Sequence, residues 1–183
     1  VINPTQFMEV FGMKFGICSF SFHRLLESGK QDIFKYITDC KELGMTQLDP
    51  WNAHFAPLYE STKNLKARAE PANMVLSAEE VEYLTQVKQA ADAVRLPFGC
   101  IAADQIHIYE STSEARRVNR SLAYKWIDIA DKLDARQLRI DAGRGDLLEL
   151  SDKALQIIVD GYTDLIARAG KKGIEILMEN SVI

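Results

Sequence analysis

The sequence predicts an α/β fold in which parallel strands curve into part of a barrel. Two observations support this prediction: strand-like and helix-like runs alternate from Lys14 to the end of the chain, and the later strands carry polar residues on one face only. Alternating runs are typical of βαβ units and a parallel sheet. With 183 residues and 47% hydrophobic content, the chain has enough apolar mass for a single domain, predicted over residues 1–183.

Five runs are predicted to be strands, at residues 14–22, 45–51, 97–104, 136–142 and 173–180. The fourth run shows the one-sided pattern most clearly, because its apolar residues share one face and its polar residues share the other. The polar residues are Gln137, Arg139 and Asp141. A doubly wound sheet is covered by helices on both faces and would be apolar on both. The pattern therefore favours a barrel whose interior opens into a polar mouth at the C-terminal strand ends. A doubly wound sheet stays the alternative, with no glycine-rich nucleotide motif to support it.

The helix-like runs place apolar residues three and four positions apart, which gives each helix one buried face. One such stripe is Val118, Leu122, Trp126, Ile129 and Leu133, and a second is Leu155, Ile158, Tyr162, Leu165 and Ala169. Ser77 followed by Glu80 has the spacing of a capping box at a helix start. Gly44, after a helix-like run, predicts a left-handed helix end.

A long connection at residues 52–76 separates the second strand from its helix. Most such connections have about 2 to 6 residues, so this segment is an insertion. Within it, residues 58–69 are predicted to form a short helix that ends before Pro71. A surface insertion and a flap over a site at the catalytic face are both open interpretations.

Composition excludes several classes of protein. The net charge of -4 argues against nucleic acid as a partner, because domains that neutralise phosphates carry a basic excess. No apolar run is long enough to span a bilayer, and no signal peptide pattern opens the chain. Cys18, Cys40 and Cys100 lie in apolar segments without metal-site spacing, so we expect reduced core thiols in a cytoplasmic protein.

Four motifs, in order, resemble proteins of one family. They are KFGICSFSFHR at residues 14–24, KELGMTQLDPWN at 41–52, LRIDAG at 138–143 and ILMEN at 176–180. Together they resemble the sugar phosphate isomerase/epimerase family of the xylose isomerase-like TIM barrel superfamily. The resemblance implies an eight-stranded barrel, of which this chain supplies about five N-terminal βα units. Because such a barrel needs about 250 residues, we expect the chain to be truncated after the fifth strand.

The resemblance also implies a divalent metal, Mn²⁺, Mg²⁺ or Zn²⁺, bound at the ends of later strands. Glu179 matches the first metal ligand of the family and, in the epimerase branch, a catalytic acid/base. The sequence departs from the family pattern at Ser181, where a histidine is frequent. The remaining ligands would lie beyond Ile183, so we expect the chain alone not to bind the metal.

Other candidate site residues follow strand ends. His23 follows the first strand and is a catalytic candidate, because a neutral imidazole can exchange protons with a sugar hydroxyl. Trp51 and Asn52 end the second strand and pair an aromatic face with an amide, as sugar sites do. His107 follows the third strand, and His54, in the insertion, is a weaker candidate. Each has a plain alternative as a packed or surface residue.

Arg139 and Asp141 share the predicted interior face of the fourth strand. They are predicted either to form a buried ion pair or to place a guanidinium against a substrate anion. Gln47 and Asp49 face the same interior and are predicted to be supporting residues.

The leading functional hypothesis is a metal-dependent sugar or sugar phosphate isomerase or epimerase, which moves a proton at a carbon next to a carbonyl. A metal-dependent dehydratase of polyols is one alternative. A catalytically inactive barrel fragment or a sugar-binding module is another. The predicted partner is a small sugar or sugar derivative, with no nucleic acid and no membrane, and a homo-oligomer is left open.

Overall fold

A parallel three-stranded sheet forms the centre of the molecule. The structure is a computed structural model that describes residues 13–60, 69–143 and 151–179. Strands β1 (Cys100–His107), β2 (Gln137–Asp141) and β3 (Glu175–Glu179) are neighbours in that order. All pairs are parallel. These are the third, fourth and fifth predicted strands, and the sequential order is that of a barrel rather than of a sheet wound about a central strand.

The first two predicted strands join the sheet only through isolated parallel bridges. Cys18 bridges Asp49, and Trp51 bridges Ala102, so the sequential order of the sheet continues through both segments. Continuous strands over 14–22 and 45–51 were wrong, because side chains capture the amides that a ladder would use. The Asp49 amide donates to the Tyr36 hydroxyl at 2.8 Å. The Trp51 amide donates to the hydroxyl of Ser19 at 2.8 Å.

Six helices lie in the described part of the chain: α1 (His23–Glu27), α2 (Ile33–Glu42), α3 (Ala56–Glu60), α4 (Ala78–Val94), α5 (Ser113–Lys132) and α6 (Asp152–Gly170). Short 3-10 turns occupy Ser19–Phe22, Asn52–His54 and Pro71–Met74. Within the insertion, α3 confirms helical structure up to Glu60, and residues 61–68 lie outside the described residues.

Side-chain caps define the helix starts. The capping box is present at α4, where Ser77 accepts from the Glu80 amide at 3.2 Å and Glu80 accepts from the Ser77 amide at 2.9 Å. Thr112 and Ser151 cap α5 and α6 with their side-chain hydroxyls alone, which accept from the Ala115 and Ala154 amides. Gly44 has φ +75°, which confirms the left-handed end of α2.

The core lies between the sheet and the helices that cover one of its faces. Leu138 and Ile140 of β2 are fully buried on that face. The predicted α5 stripe is confirmed, since all five of its residues are buried. The opposite face of the sheet carries Gln137 and Arg139, which are only half-buried.

One residue of the predicted α6 stripe departs from the prediction. Leu155 is 50% exposed, whereas the other four stripe residues are buried. Leu155 lies one turn before Val159, and with Ile166 these residues form an exposed apolar face of α6. Met178 of β3 is also exposed. We call Leu155, Val159, Ile166 and Met178 the α6/β3 apolar surface.

A buried ion pair joins α4 to α5. The Lys125 ammonium lies 2.7 Å from Glu80 Oε1, and the Lys125 side chain is 1% exposed. Glu80 also belongs to the capping box. One carboxylate therefore both caps α4 and neutralises a buried cation.

All three cysteines are free thiols. Cys40 is buried and Cys100 is half-buried, but Cys18 is exposed, so the expectation of a core position was wrong for Cys18. Cys18 pairs with Asp49 in an isolated parallel bridge. None of the helices in the described ranges is both long and apolar enough to cross a membrane.

Candidate active site

The C-terminal ends of the strands bring several candidate residues to one edge of the sheet. In register, Trp51 lies beside Ala102, which pairs with Arg139. One step further along the strands, His107 pairs with Asp141, which pairs with Glu179. Five of the predicted residues thus lie in two adjacent layers at this edge, which we call the mouth.

Arg139 is held between two carboxylates in the mouth. It forms an ion pair with Asp104, and its Nη1 lies 3.2 Å from Glu179 Oε2. The predicted ion pair with Asp141 was therefore wrong: β1 bulges after Ala103, and this places Asp104 against Arg139 instead. Arg139 Nε is buried without a hydrogen-bond partner, so one of its donors is unused within the described residues.

Asp141 is a buried carboxylate, 7% exposed, at the end of β2. Burial raises the pKa of Asp141 above its ordinary value, while the Gln105 amide and Arg139 oppose that rise. The Gln105 amide donates to Asp141 Oδ2 at 3.1 Å. Asp141 is thus fixed in place and less acidic than an exposed aspartate.

His107 is also buried and ends β1. Its Nδ1 lies 2.9 Å from Glu110 Oε1, and its Nε2 lies 3.9 Å from Asp141 Oδ2. The imidazole therefore stands between two carboxylates, one on the β1 to α5 connection and one in the mouth.

An aromatic cluster lines the side of the mouth formed by the first two segments. The Phe20 ring stacks on His23 at 4.7 Å and meets Trp51 edge-on at 5.2 Å. Tyr59 of α3 lies 6.3 Å from Trp51. Phe20 is 51% exposed, so the cluster presents an apolar wall to solvent. The backbone carbonyl of Phe20 binds His23 Nδ1 at 2.9 Å.

Asn52 and Trp51 carry unused polar atoms. Asn52 Nδ2 donates to the carbonyl oxygen of Asp104 at 2.9 Å, which links the insertion to the bulge of β1. Asn52 Oδ1 and Trp51 Nε1 are buried and have no hydrogen-bond partner among the residues that the structure describes. Unsatisfied buried polar atoms are costly, and a bound ligand or water is one way to satisfy them.

His54 lies apart from the mouth carboxylates. It is 1% exposed, and its Nδ1 lies 2.9 Å from Ser19 Oγ. Burial lowers the pKa of His54 to about 4, against a small opposing effect of Asp32. His54 is therefore neutral at physiological pH and packs against Tyr36.

Asp49 lies deeper on the interior face, as a supporting residue. Its Oδ1 accepts from the Cys100 amide and from Gln47 Nε2, both at 2.9 Å. Gly16 and Gly99 flank this carboxylate, and a Cβ built on Gly99 would lie 2.4 Å from Asp49 Oδ1. The two glycines make room for Asp49.

Sequence reasoning missed Asp104 and Glu110. Both depend on the irregular end of β1, where Gln105 has φ +65°. A regular strand would have placed Asp104 opposite Asp141. The run DQIHIYE, with three acidic or amide residues around one histidine, was the available signal.

The donor set does not fit the implied metal within the described residues. They contain no group of three histidine, cysteine or acidic residues that could hold an ion. Glu179, the predicted ligand, faces the guanidinium of Arg139. Metal binding by Glu179 therefore stays a prediction for a complete barrel.

Comparison with solved structures confirms the fold class. The probable 3-DHS dehydratase AsbF from Bacillus anthracis superposes with a TM-score of 0.63 at 15% identity, over 91% of this chain and 52% of that one. D-psicose 3-epimerase in the presence of D-fructose gives 0.60 at 16% identity, over 93% and 55%. The 3-keto-D-glucoside 4-epimerase YcjR from E. coli gives 0.58 at 13% identity, over 81% and 51%.

These neighbours are TIM barrels, which agrees with the predicted fold class. At such low identity the likeness establishes the fold alone. The chain spans about half the length of the solved structures that it matches. No family model matches the sequence, and no curated protein matches it.

Proposed function

We propose that this chain belongs to a sugar isomerase or epimerase that moves a proton at a carbon next to a carbonyl. The observation that carries the proposal is Arg139, held between Asp104 and Glu179 at the C-terminal strand ends. Barrel enzymes build their active sites at that edge. The sugar epimerases among the solved neighbours support the same class of reaction.

In the proposed reaction, the Glu179 carboxylate removes the proton from the carbon beside the carbonyl. The electrons of the C–H bond form a C=C bond, and the carbonyl π electrons move to oxygen to give an enediolate. Arg139 donates N–H bonds to this developing charge, which is the most effective kind of stabilisation in an enclosed site. Return of the proton from Glu179 to the former carbonyl carbon gives the isomer. The epimer forms when a second acid group on the opposite face protonates the original carbon, while Glu179 keeps the proton that it removed.

The other mouth residues bind and orient the sugar in this proposal. The Phe20 and Trp51 rings cover its C–H faces, while Asn52 Oδ1 and Trp51 Nε1 supply the unused polar atoms noted above. His23 carries a hydroxyl proton between sugar oxygens, because Nδ1 is bonded to the Phe20 carbonyl and Nε2 is left to accept. Asp141 and His107 accept from sugar hydroxyls.

A divalent ion belongs to the proposal only for a complete barrel. There Glu179 would be one ligand, and the ion would polarise the substrate oxygen.

A dehydratase is the second candidate, supported by the presence of AsbF among the solved neighbours. It begins with the same proton removal but then expels a hydroxyl from the next carbon, as water once a proton is added. A sugar-binding module without catalysis is the third. The three differ in their products.

The deciding experiment incubates the complete protein with D-fructose in D₂O and follows the sugar by NMR. Exchange of the proton beside the ketone, with a new sugar of unchanged composition, supports the isomerase or epimerase. An unsaturated product identifies a dehydratase. Binding without exchange identifies a binding module, and absence of any binding rejects D-fructose and the proposal for this ligand.

A matched pair of variants tests the proposed base. Glu179→Gln keeps the shape and removes the charge, so it should abolish exchange. Glu175→Gln makes the same change at the other end of β3, where Glu175 bonds to Gln137 at 2.9 Å, and should leave exchange intact. If deuterium enters the sugar at the normal rate with Glu179→Gln, Glu179 is not the base.

A further inference from the structure

The end of β1 is built to place His107 at the mouth. After Ala103 pairs with Ile140, the next pair is His107 with Asp141, so residues 104–106 have no counterpart on β2. Within this bulge Gln105 adopts φ +65°, a conformation that costs a non-glycine residue about 1 to 2 kcal/mol. Strain of this kind persists only where the surroundings enforce it, and here it brings a histidine rather than Asp104 into the last layer.

Two side chains fix His107 from the side of α5. The His107 amide donates to Asn119 Oδ1 at 3.1 Å, and Asn119 Nδ2 donates to the Ala115 carbonyl at 3.0 Å. Glu110 binds the ring at Nδ1, and the carbonyl of Glu110 accepts from Arg116 Nη1 at 2.5 Å. Both the backbone and the ring of His107 are therefore anchored.

The partner at Nδ1 decides where the imidazole proton resides. An ionised carboxylate only accepts hydrogen bonds, so an ionised Glu110 requires Nδ1 to carry the proton and to donate a hydrogen bond to Oε1. Nε2 is then left with its lone pair, 3.9 Å from Asp141 Oδ2. That distance is too long for a direct hydrogen bond. Two acceptors that face each other at this separation suit a ligand that offers hydroxyl donors.

We propose that Glu110 is a positioning residue that holds His107 in the Nδ1–H tautomer, so that Nε2 accepts a hydrogen bond from a hydroxyl of a polyhydroxylated ligand. The proposal deepens the sugar-directed function proposed above and rests on it for the ligand. Carboxylates that orient a functional histidine in this way also fix its ring plane.

His54 supplies an internal contrast. Ser19 Oγ accepts from the Trp51 amide, so its hydroxyl hydrogen is available to the Nδ1 of His54. The hydroxyl oxygen can also accept a second hydrogen bond, so Ser19 allows either tautomer of His54. His54 is thus a buried histidine whose partner does not specify a tautomer, in contrast to His107.

The test is imidazole NMR of the ¹⁵N-labelled chain at a pH where its histidines are neutral. The sequence has only His23, His54 and His107, so two His→Gln variants assign the signals. His107 should be at least about tenfold richer in the Nδ1–H tautomer, the preference expected of a hydrogen bond to a charged group. In Glu110→Ala this preference should disappear. Glu114→Ala removes an exposed carboxylate that pairs with Arg117 and should leave it unchanged.

The outcomes separate the proposal from the function on which it rests. His107 found as Nε2–H or doubly protonated, or Nδ1–H retained in Glu110→Ala, overturns the role of Glu110. The wild-type measurement decides the matter even if a variant does not fold. With D-fructose added, a shift of His107 Nε2 supports the ligand assignment. Binding that moves the Trp51 indole but not His107 overturns that assignment alone, and no shift anywhere rejects D-fructose and the function proposed for this ligand.

Discussion

The Nη1 atom of Arg139 lies 3.2 Å from Oε2 of Glu179, across two neighbouring strands. In register Arg139 pairs with Leu177 rather than Glu179, so its side chain reaches one step towards the strand ends. There it also meets Asp104. A single cation thus organises carboxylates from β1 and β3, the two strands on either side of its own.

Replacing Arg139 should separate catalysis from stability. Arg139→Gln in the complete protein should slow sugar proton exchange by about 100-fold or more, the usual effect of losing one donor to a developing oxyanion. Unfolding in urea should change by less than about 1 kcal/mol, because the ion pairs are partly exposed. Unchanged exchange, or a large loss of stability, would assign Arg139 a structural role instead.

The glycine at position 99 should resist even the smallest side chain. A Cβ there would lie 2.4 Å from Asp49 Oδ1 and 2.5 Å from Gln47 Nε2, so Gly99→Ala should destabilise the fold by about 1 to 3 kcal/mol. Gly170→Ala is the control, since nothing lies within 4 Å of its Cβ, and it should be neutral or slightly stabilising. Urea unfolding of both variants measures the difference, and equal midpoints would contradict the close packing around Asp49.

His54 should make stability depend on pH. Its pKa is about 4 in the folded state, below the ordinary 6.5, so the unfolded chain binds the proton first as the pH falls. The contribution of neutral His54 is therefore complete above about pH 6.5 and is lost towards pH 4, by up to about 3 kcal/mol. His54→Gln removes this titration. The difference in unfolding free energy between wild type and variant should shrink over that range, and a constant difference would refute the prediction.

The α6/β3 apolar surface should cause self-association. Val159, Ile166 and Met178 are 49%, 55% and 62% exposed, and a sheet edge with apolar residues is a site of aggregation. Replacing Val159 and Ile166 by lysine should lower the mass seen by light scattering towards 20.6 kDa. Leu43→Lys changes an equally exposed leucine at the C-terminal cap of α2 and should have no such effect. A monodisperse wild-type monomer at micromolar concentration would rule out this surface.

Much of the fold follows from periodicity alone. The α5 stripe and the alternation in β2 depend on repeats of 3.6 and two residues, and the structure places their apolar members in the core. Periodicity did not predict that the first two segments lack continuous strands. Their backbone amides donate to the hydroxyls of Tyr36 and Ser19, which are distant in the sequence. Such competition between side chain and backbone leaves no local pattern.

The mouth was predictable in outline but not in its pairings. The positions of His107, Arg139, Asp141 and Glu179 near predicted strand ends were enough to select them as site residues, since parallel strands bring their C-terminal ends to one edge. The pairing of Arg139 with Asp104 depends on the bulge at residues 104–106. The residue types in this segment do not distinguish a bulge from a regular strand. The predicted burial of the α6 stripe was wrong only at Leu155, because no described residue covers this side chain.

The two roles of Glu80, capping α4 and pairing with Lys125, restrict which substitutions this sequence can tolerate. Glu80 closes the capping box and holds the buried Lys125, which is distant in sequence but 2.7 Å away in space. Losing either charge leaves the other buried and unpaired, at a cost of about 3 to 5 kcal/mol, whereas exchanging both for apolar residues avoids that cost. Related sequences should therefore keep the two together or lose them together, with single replacements rare between the two states.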